Sequence, residues 1–174
     1  MLRFGFTLSI LVLAGAQASH AAPVVALGAS NTAGRGRGAT ADGVPKSQAF
    51  PAQLEALLSG QGCKVKVLNA GIAGDTTGGM LRRLPGLLGM DTKVVVLQPG
   101  GNDARRGEEA SIAANVEAMR QIIAKHGAKV VIMGNLGRFA RQGSRLPDGQ
   151  HFNVEGHAAF AASVASAVRA AACG

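Results

Sequence analysis

The 174-residue chain contains neither tryptophan nor tyrosine, and aromatic residues make up only 3% of it. Proteins that bind single-stranded nucleic acid stack its bases on aromatic side chains, so the composition argues against a nucleic-acid partner despite a formal net charge of +8. The "GRGRG" stretch at residues 34–38 is too short for an arginine–glycine tract and is expected to be a loop. The positive charge instead favours anionic surfaces or acidic substrates.

Cysteine is scarce as well, and the chain contains only Cys63 and Cys173. Neither lies in a CxxC pair or in a spacing typical of zinc ligands, so the sequence predicts no zinc site. An even number of cysteines in an oxidising compartment allows one disulfide. The alternative is a buried Cys63 and a free Cys173 at a frayed helix end.

The one long apolar run, "FTLSILVLAGA" at residues 6–16, follows Arg3. It is shorter than the ~20 residues that a membrane-spanning helix needs. The basic residue, the run and the small-residue motifs that end at Ala18 and Ala21 are typical of a cleaved signal peptide. We expect residues 1–21 to be that signal peptide and residues 22–174 to form one domain, which is exported to the periplasm or the medium without stable membrane insertion.

The remainder alternates between short apolar segments and helical patterns. Runs of β-branched residues such as "KVVVL" are typical of parallel strands that are covered on both faces. Strand–helix units in series predict a three-layer α/β fold, in which helices cover both faces of an open parallel sheet. We expect Asp75 to cap the second helix and Pro85 to end or kink it. The predicted strands are residues 23–28, 64–71, 93–100 and 128–135, and the predicted helices are residues 46–62, 75–89, 108–127 and 154–172.

In such sheets ligands bind beyond the carboxyl ends of the strands, so the residues after each strand are the candidates for a site. Ser30 follows the first strand. Its loop lacks the lysine of a P-loop, and the glycines at 34–38 lie too far past the strand for a dinucleotide fingerprint. Ser30 is therefore a candidate nucleophile, and a nucleophilic serine requires a base and an orienting acid.

The four histidines differ in their suitability as that base. His20 lies in or beside the signal segment, and His126 lies at a predicted helix C-terminus. His151 comes three residues after Asp148 in a polar loop, so the carboxylate can fold back onto the imidazole. His157 lies inside the last helix, where a packing or surface role is the ordinary interpretation. We favour His151 as the base.

Two further positions after strands can supply donors to a developing oxyanion. Gly74 offers a backbone N–H next to a predicted helix start, and Asn102 offers a side-chain amide after two glycines. Each also has an ordinary alternative, because glycine and asparagine are common turn residues.

Taken together, these segments resemble the SGNH or GDSL hydrolase family. "LGASNT" is similar to its block I, "NAGIAGDTT" to block II, "GGND" to block III and "DGQHFNVEGH" to block V. The resemblance implies a flavodoxin-like α/β/α domain and an esterase without metal or organic cofactor. It also implies Ser30 as nucleophile, Asp148 and His151 as the rest of a triad, and Ser30, Gly74 and Asn102 as the oxyanion hole.

The sequence departs from the family pattern at three points. Ala29 replaces the aspartate of the GDSL motif, Gln150 stands where isoleucine is common, and the segment 136–147 is unusually short. Twelve residues do not suffice for a further helix and strand, so we expect a sheet of four strands and a shallow, open cleft. Arg138, Arg141 and Arg145 of this segment either favour anionic substrates or are simply solvated.

The family strand order 2-1-3-4 would place the second strand at an edge, where Cys63 can meet the end of the last helix and pair with Cys173. The expected function is hydrolysis of short-chain acyl or aryl esters. A carbohydrate O-acetylesterase, or a lysophospholipase or thioesterase, is the alternative on the same site, so the partner is a small-molecule, lipid or glycan ester. The alternative outside enzymes is an inactive envelope-binding module. The sequence predicts no particular oligomeric state.

Overall fold

A computed structural model describes residues 23–35, 43–134 and 143–174. Within these residues four strands form one parallel sheet in the order β2-β1-β3-β4. The α/β fold expected from the sequence and the strand order implied by the family resemblance are confirmed. Each strand is shorter than predicted, because the flanking residues form the connecting loops. The strands are β1 (Val24–Gly28), β2 (Val67–Gly71), β3 (Val94–Leu97) and β4 (Lys129–Ile132).

Three of the predicted helices are broken at one end by a 3-10 turn. The prediction of Asp75 as a helix cap was wrong: the cap is Thr76, whose side chain accepts a hydrogen bond from Gly79 N, and Asp75 bonds Arg83 instead. Pro85 ends the same helix, as expected. It lies at the start of the 3-10 turn Leu84–Leu87, which follows the helix. The helices are α1 (Ser30–Ala33), α2 (Phe50–Gly60), α3 (Thr77–Arg83), α4 (Ile112–Lys125) and α5 (Val154–Cys173), with 3-10 turns at Lys46–Gln48, Leu84–Leu87, Ala104–Arg106 and Glu109–Ser111.

The helices cover both faces of the sheet, and the alternation of side chains along the strands assigns each residue to one layer. In β1, Val24 and Ala26 pack against α2 and α5. Val25 and Leu27 pack on the opposite face, against α3 and α4. All four side chains are fully buried, which explains why the strands are continuously apolar.

Close backbone approach at the carboxyl edge of the sheet explains two glycines. A Cβ on Gly28 would lie 2.0 Å from Thr32 Oγ1, and a Cβ on Gly71 would lie 2.2 Å from Ala33 N. Glycine at these positions lets the chain turn sharply out of β1 and lets α1 lie directly against β2. The short helix α1, which the sequence analysis took for a loop, is thereby fixed at the edge where a ligand is expected.

A disulfide joins Cys63 to Cys173 with a Cα–Cα distance of 5.9 Å. Cys63 precedes β2, and Cys173 ends α5. Lys93, which precedes β3, donates a hydrogen bond to the Ala172 carbonyl at 3.2 Å. The end of α5 and the disulfide therefore lie at the amino edge of the sheet, opposite α1.

Part of the predicted short loop 136–147 lies outside the described residues, and so do Arg138, Arg141 and the predicted signal peptide. In the part that the structure describes, from Gly143 onward, Arg145 forms an isolated antiparallel bridge with Phe152 and no core strand is present. The described ranges also contain no helix that is long and apolar enough to cross a membrane.

Candidate active site

Ser30 stands at the sharp turn between β1 and α1, and the buried side chain of Gln98 holds that turn. Gln98 follows β3, its N–H donates to the Leu27 carbonyl at 2.8 Å, and it is only 3% exposed. Its Oε1 accepts hydrogen bonds from Ala29 N and Thr32 Oγ1, both at 3.3 Å. The residues on both sides of Ser30 are thus tied to the neighbouring strand.

A continuous hydrogen-bonded chain joins Ser30, His151 and Asp148. His151 Nε2 lies 2.8 Å from Ser30 Oγ, and His151 Nδ1 lies 2.5 Å from Asp148 Oδ2. The other carboxylate oxygen accepts hydrogen bonds from Gln150 N and His151 N, each at 2.9 Å. Burial raises the pKa of Asp148, but the hydrogen bonds from His151 and Gln150 outweigh it, so the pKa lies well below its usual range. Asp148 is therefore an anion at neutral pH.

Residues next to Ser30 and His151 connect α1 to the loop that carries His151. Phe152 N donates to Asn31 Oδ1 at 3.1 Å, one residue away from each partner of the Ser30–His151 pair. Arg145 donates to the Gln150 carbonyl at 2.7 Å, and its guanidinium lies 5.2 Å from the centre of the Phe152 ring. Arg145 therefore supports the loop that carries His151, a role that neither sequence-based alternative for it included.

Three hydrogen-bond donors beside the Ser30–His151–Asp148 group are suited to bind an oxyanion. Gly74 is exposed to solvent, and its φ is +78°. Its N–H has no partner among the described residues. Ser30 N, at the start of α1, likewise has none within those ranges. Asn102 donates one amide hydrogen to the Asp75 carbonyl at 2.8 Å, which leaves its second amide hydrogen available.

The loop that carries Asn102 is anchored to α3 through Asp103. This carboxylate is fully buried and accepts hydrogen bonds from Thr77 N, at 3.0 Å and 3.2 Å to its two oxygens, and from the Thr77 hydroxyl. Asn115 of α4 donates to the same hydroxyl at 3.0 Å. Asp103 therefore satisfies an N–H in the first turn of α3, which has no partner within the helix.

His157 is a buried packing residue. Its Nδ1 accepts a hydrogen bond from Phe50 N at 3.2 Å, and it is 1% exposed. Burial, with a smaller contribution from the charge of His151, lowers the pKa of His157 to about 4. His126 is exposed, and its Nε2 lies 2.9 Å from the Gly89 carbonyl, while His20 lies outside the described residues. No group of three or more metal-ligating side chains occurs in the described part of the chain.

Sequence reasoning missed the residues that hold the site together. Gln98 directly follows the apolar run of β3, which is a detectable signal because a buried polar side chain must find partners. Asp103 was visible only as the last residue of "GGND". Arg105 and Arg106, which follow it, carried no signal in the sequence.

The sequence profile of the GDSL-like lipase/acylhydrolase family matches residues 26–173, and the chain belongs to this family. Esterase TesA of Pseudomonas aeruginosa is 40% identical over 94 residues, which is 53% of this chain and 47% of that protein. An arylesterase of Vibrio mimicus is 39% identical over 92 residues, which is 52% of this chain and 46% of that protein. The matching segment thus spans about half the length of these curated relatives.

Structural similarity extends much further along the chain than these alignments. A crystal structure of TesA superimposes with a TM-score of 0.71 at 27% identity, covering 84% of this chain and 97% of that one. The fold is therefore that of the SGNH hydrolases.

Proposed function

We propose that this protein is a serine esterase that hydrolyses short-chain acyl or aryl esters. The observation that carries the proposal is the hydrogen-bonded chain from Ser30 Oγ through His151 to the Asp148 carboxylate. Membership of the GDSL-like lipase/acylhydrolase family and the names of the relatives, esterase and arylesterase, support the same reaction class.

In this mechanism Ser30 Oγ attacks the ester carbonyl while His151 Nε2 accepts the hydroxyl proton. Asp148 holds the imidazole through Nδ1 and stabilises the imidazolium, which its lowered pKa allows because the carboxylate remains charged. The imidazolium then protonates the leaving alcohol. Water, deprotonated by His151, attacks the acyl-enzyme in the same way and releases the acid and the free serine.

The negative charge of each tetrahedral intermediate would be bound by three donors: the N–H groups of Ser30 and Gly74 and the free amide hydrogen of Asn102. Unused donors that are already oriented stabilise developing charge without reorganisation, and the loss of one typically costs ~2.7–4 kcal/mol of transition-state stabilisation. That these N–H groups have no other partner among the described residues supports the assignment.

We further propose that the protein is exported. The apolar N-terminal segment has the pattern of a signal peptide, and the Cys63–Cys173 disulfide is of the kind that persists in oxidising compartments.

A fluorophosphonate probe and a chromogenic acetate ester test the proposal. The probe is expected to add a single label, on the peptide that contains Ser30, and to abolish esterase activity. Ser30→Ala should remove both labelling and activity, whereas the matched surface variant Ser59→Ala, at an exposed position of α2, should retain both. Labelling at another residue, or an active Ser30→Ala variant, would refute the assignment.

A further inference from the structure

Two exposed arginines contact two of the three residues that are proposed to bind the oxyanion. Arg105 and Arg106 belong to the 3-10 turn Ala104–Arg106, directly after Asn102 and Asp103. Arg105 Nη1 donates to Asn102 Oδ1 at 2.8 Å, and Arg106 Nη2 donates to the Gly74 carbonyl at 2.9 Å. One turn of chain therefore reaches two of the three residues of the proposed oxyanion site.

The turn that carries the arginines is itself firmly held. Arg106 N and Glu108 N both donate to the Asp103 carbonyl at 2.9 Å, and the Asp103 side chain is buried against Thr77. Gly107 follows at φ +69°, in the left-handed region, and closes the turn. The guanidinium groups thus extend from a fixed backbone rather than from a free loop.

The contact with Arg105 determines which way the Asn102 amide points. A guanidinium only donates hydrogen bonds and a backbone carbonyl only accepts them. Arg105 can therefore bond only the oxygen of the amide, while the Asp75 carbonyl can bond only its nitrogen. With both ends engaged, the amide cannot flip, and its remaining N–H is held in one direction.

Arg106 restrains the second donor in a comparable way. The peptide that follows Gly74 is held at its carbonyl by Arg106 and at its N–H by the Ile72 carbonyl, at 3.1 Å. Gly74 itself lies in the left-handed region at φ +78°, so Arg106 fixes the backbone on the carboxyl side of the residue whose N–H is the proposed donor.

On the basis of the proposed esterase function, we propose that Arg105 and Arg106 are positioning residues of the oxyanion hole, which orient Asn102 and Gly74 respectively. They do not bind the substrate. The arginines therefore act on the transition state. Removal of either residue is predicted to lower kcat with little change in KM.

Kinetics on the neutral substrate 4-nitrophenyl acetate provide the first test. Arg105→Ala and Arg106→Ala should each lower kcat by ~10-fold with KM unchanged, a smaller loss than removal of a donor itself. Arg105→Lys, which keeps the charge and a donor, should recover part of the loss. The control is Arg120→Ala on α4, an exposed arginine paired with Glu117, which should behave like the parent. Thermal melts establish that every variant is folded.

A double-mutant cycle shows whether Arg105 acts through Asn102. In an Asn102→Ala background, Arg105→Ala should change kcat by less than about 2-fold, because the group that it orients is absent. The inhibition constant of an arylboronic acid, which mimics the tetrahedral intermediate, should rise in Arg105→Ala in proportion to the loss of kcat/KM. Full additivity in the cycle would overturn the proposal.

The outcomes separate this inference from the esterase proposal. An inactive parent, or one that the fluorophosphonate does not label at Ser30, contradicts the esterase function. An active, labelled parent whose Arg105→Ala and Arg106→Ala variants match Arg120→Ala contradicts only the positioning role. If the variants raise KM for a negatively charged ester but leave kcat for the neutral ester unchanged, the arginines bind the substrate. This outcome equally contradicts the positioning role.

Discussion

Two histidines six positions apart have different chemistry because their surroundings differ. His151 contacts Ser30 Oγ with one ring nitrogen and the Asp148 carboxylate with the other. His157 is enclosed by the core between α2 and α5, and its ring accepts a hydrogen bond from the backbone N–H of Phe50. The first environment suits proton transfer, whereas the second suits a neutral structural imidazole.

Substitution of each histidine by alanine should therefore affect different quantities. His151→Ala should lower kcat by several orders of magnitude, because the members of a triad act as a unit. His157→Ala should leave kcat nearly unchanged but lower the free energy of unfolding by about 1–3 kcal/mol, because Phe50 N loses its partner in the core. Steady-state kinetics and urea denaturation of the two variants provide the measurement. A large loss of kcat in a folded His157→Ala variant would contradict the proposed roles.

The lowered pKa of His157 predicts a pH-dependent stability. The unfolded chain binds a proton at His157 near pH 6.5, whereas the folded chain does so only near pH 4. Acidification from pH 6.5 to pH 4 therefore favours the unfolded state, by about 3 kcal/mol in total. The contribution of Asp148, whose pKa is lowered, is present above its unfolded value of 3.8 and is lost only below it, so it does not overlap with this window.

Urea denaturation at pH 7 and at pH 4.5 tests this dependence. The parent protein should lose stability between the two, and His157→Gln should lose distinctly less. His126→Gln, at an exposed position, is the matched control and should keep the pH dependence of the parent. Equal pH dependence in all three proteins would disprove the assignment to His157.

At the scale of secondary-structure elements, the site depends on how closely α1 approaches β2. A Cβ at Gly71 would meet the backbone nitrogen of Ala33 at 2.2 Å, and a backbone atom cannot move aside as a flexible side chain can. Gly71→Ala should therefore displace α1, reduce stability and lower kcat, because Ser30 is the first residue of that helix.

Gly60→Ala is the matched control, since a Cβ at the exposed end of α2 meets nothing within 4 Å. This variant should be neutral or stabilised by about 0.4–1 kcal/mol through the reduced entropy of the unfolded chain. Activity assays and thermal denaturation compare the two glycine variants. If Gly71→Ala retained full activity, the close packing of α1 on β2 would not be needed for the position of Ser30.

At the scale of the whole molecule, the disulfide and the site lie at opposite edges of the sheet. Cys63 and Cys173 are 110 residues apart in sequence, so their bond closes a loop that includes most of the domain. In the chain-entropy model, closing a loop of this length lowers the entropy of the unfolded chain and stabilises the fold by about 4–5 kcal/mol. Because the bond lies at the amino edge, far from Ser30, it is expected to contribute to stability and not to catalysis.

The double variant Cys63→Ala/Cys173→Ala tests this separation. It should unfold at clearly lower urea concentration than the parent, with kcat and KM unchanged where both proteins are folded. Addition of a reductant should destabilise the parent and have no effect on the variant. Unchanged stability would show that the bond contributes nothing, and a changed kcat in the folded variant would show that the two edges of the sheet are coupled.

Local patterns in the sequence predicted the four strands, the four longer helices and the candidate residues, but not the short helix α1. Apolar runs and helical periodicity are properties of neighbouring residues, and they give four strands and their order of alternation with helices. The Asp148–His151 pair spans only three positions, so its hydrogen bond was predictable from one turn of chain. Ser30, Gly74 and Asn102 became candidates because each follows a predicted strand, where parallel sheets place their ligands.

Only the tertiary structure decided how these residues are held. Ser30 and His151 are 121 positions apart, and Gln98 reaches the turn before Ser30 from 69 positions away. The contacts of Arg106 with Gly74 and of Asp103 with Thr77 likewise join segments that are far apart in the sequence. Such hydrogen bonds depend on the direction in which a side chain leaves its own turn and on the distance between turns. Local sequence patterns do not predict this direction or this distance, because both are set by the packing of the sheet and helices that the loops connect.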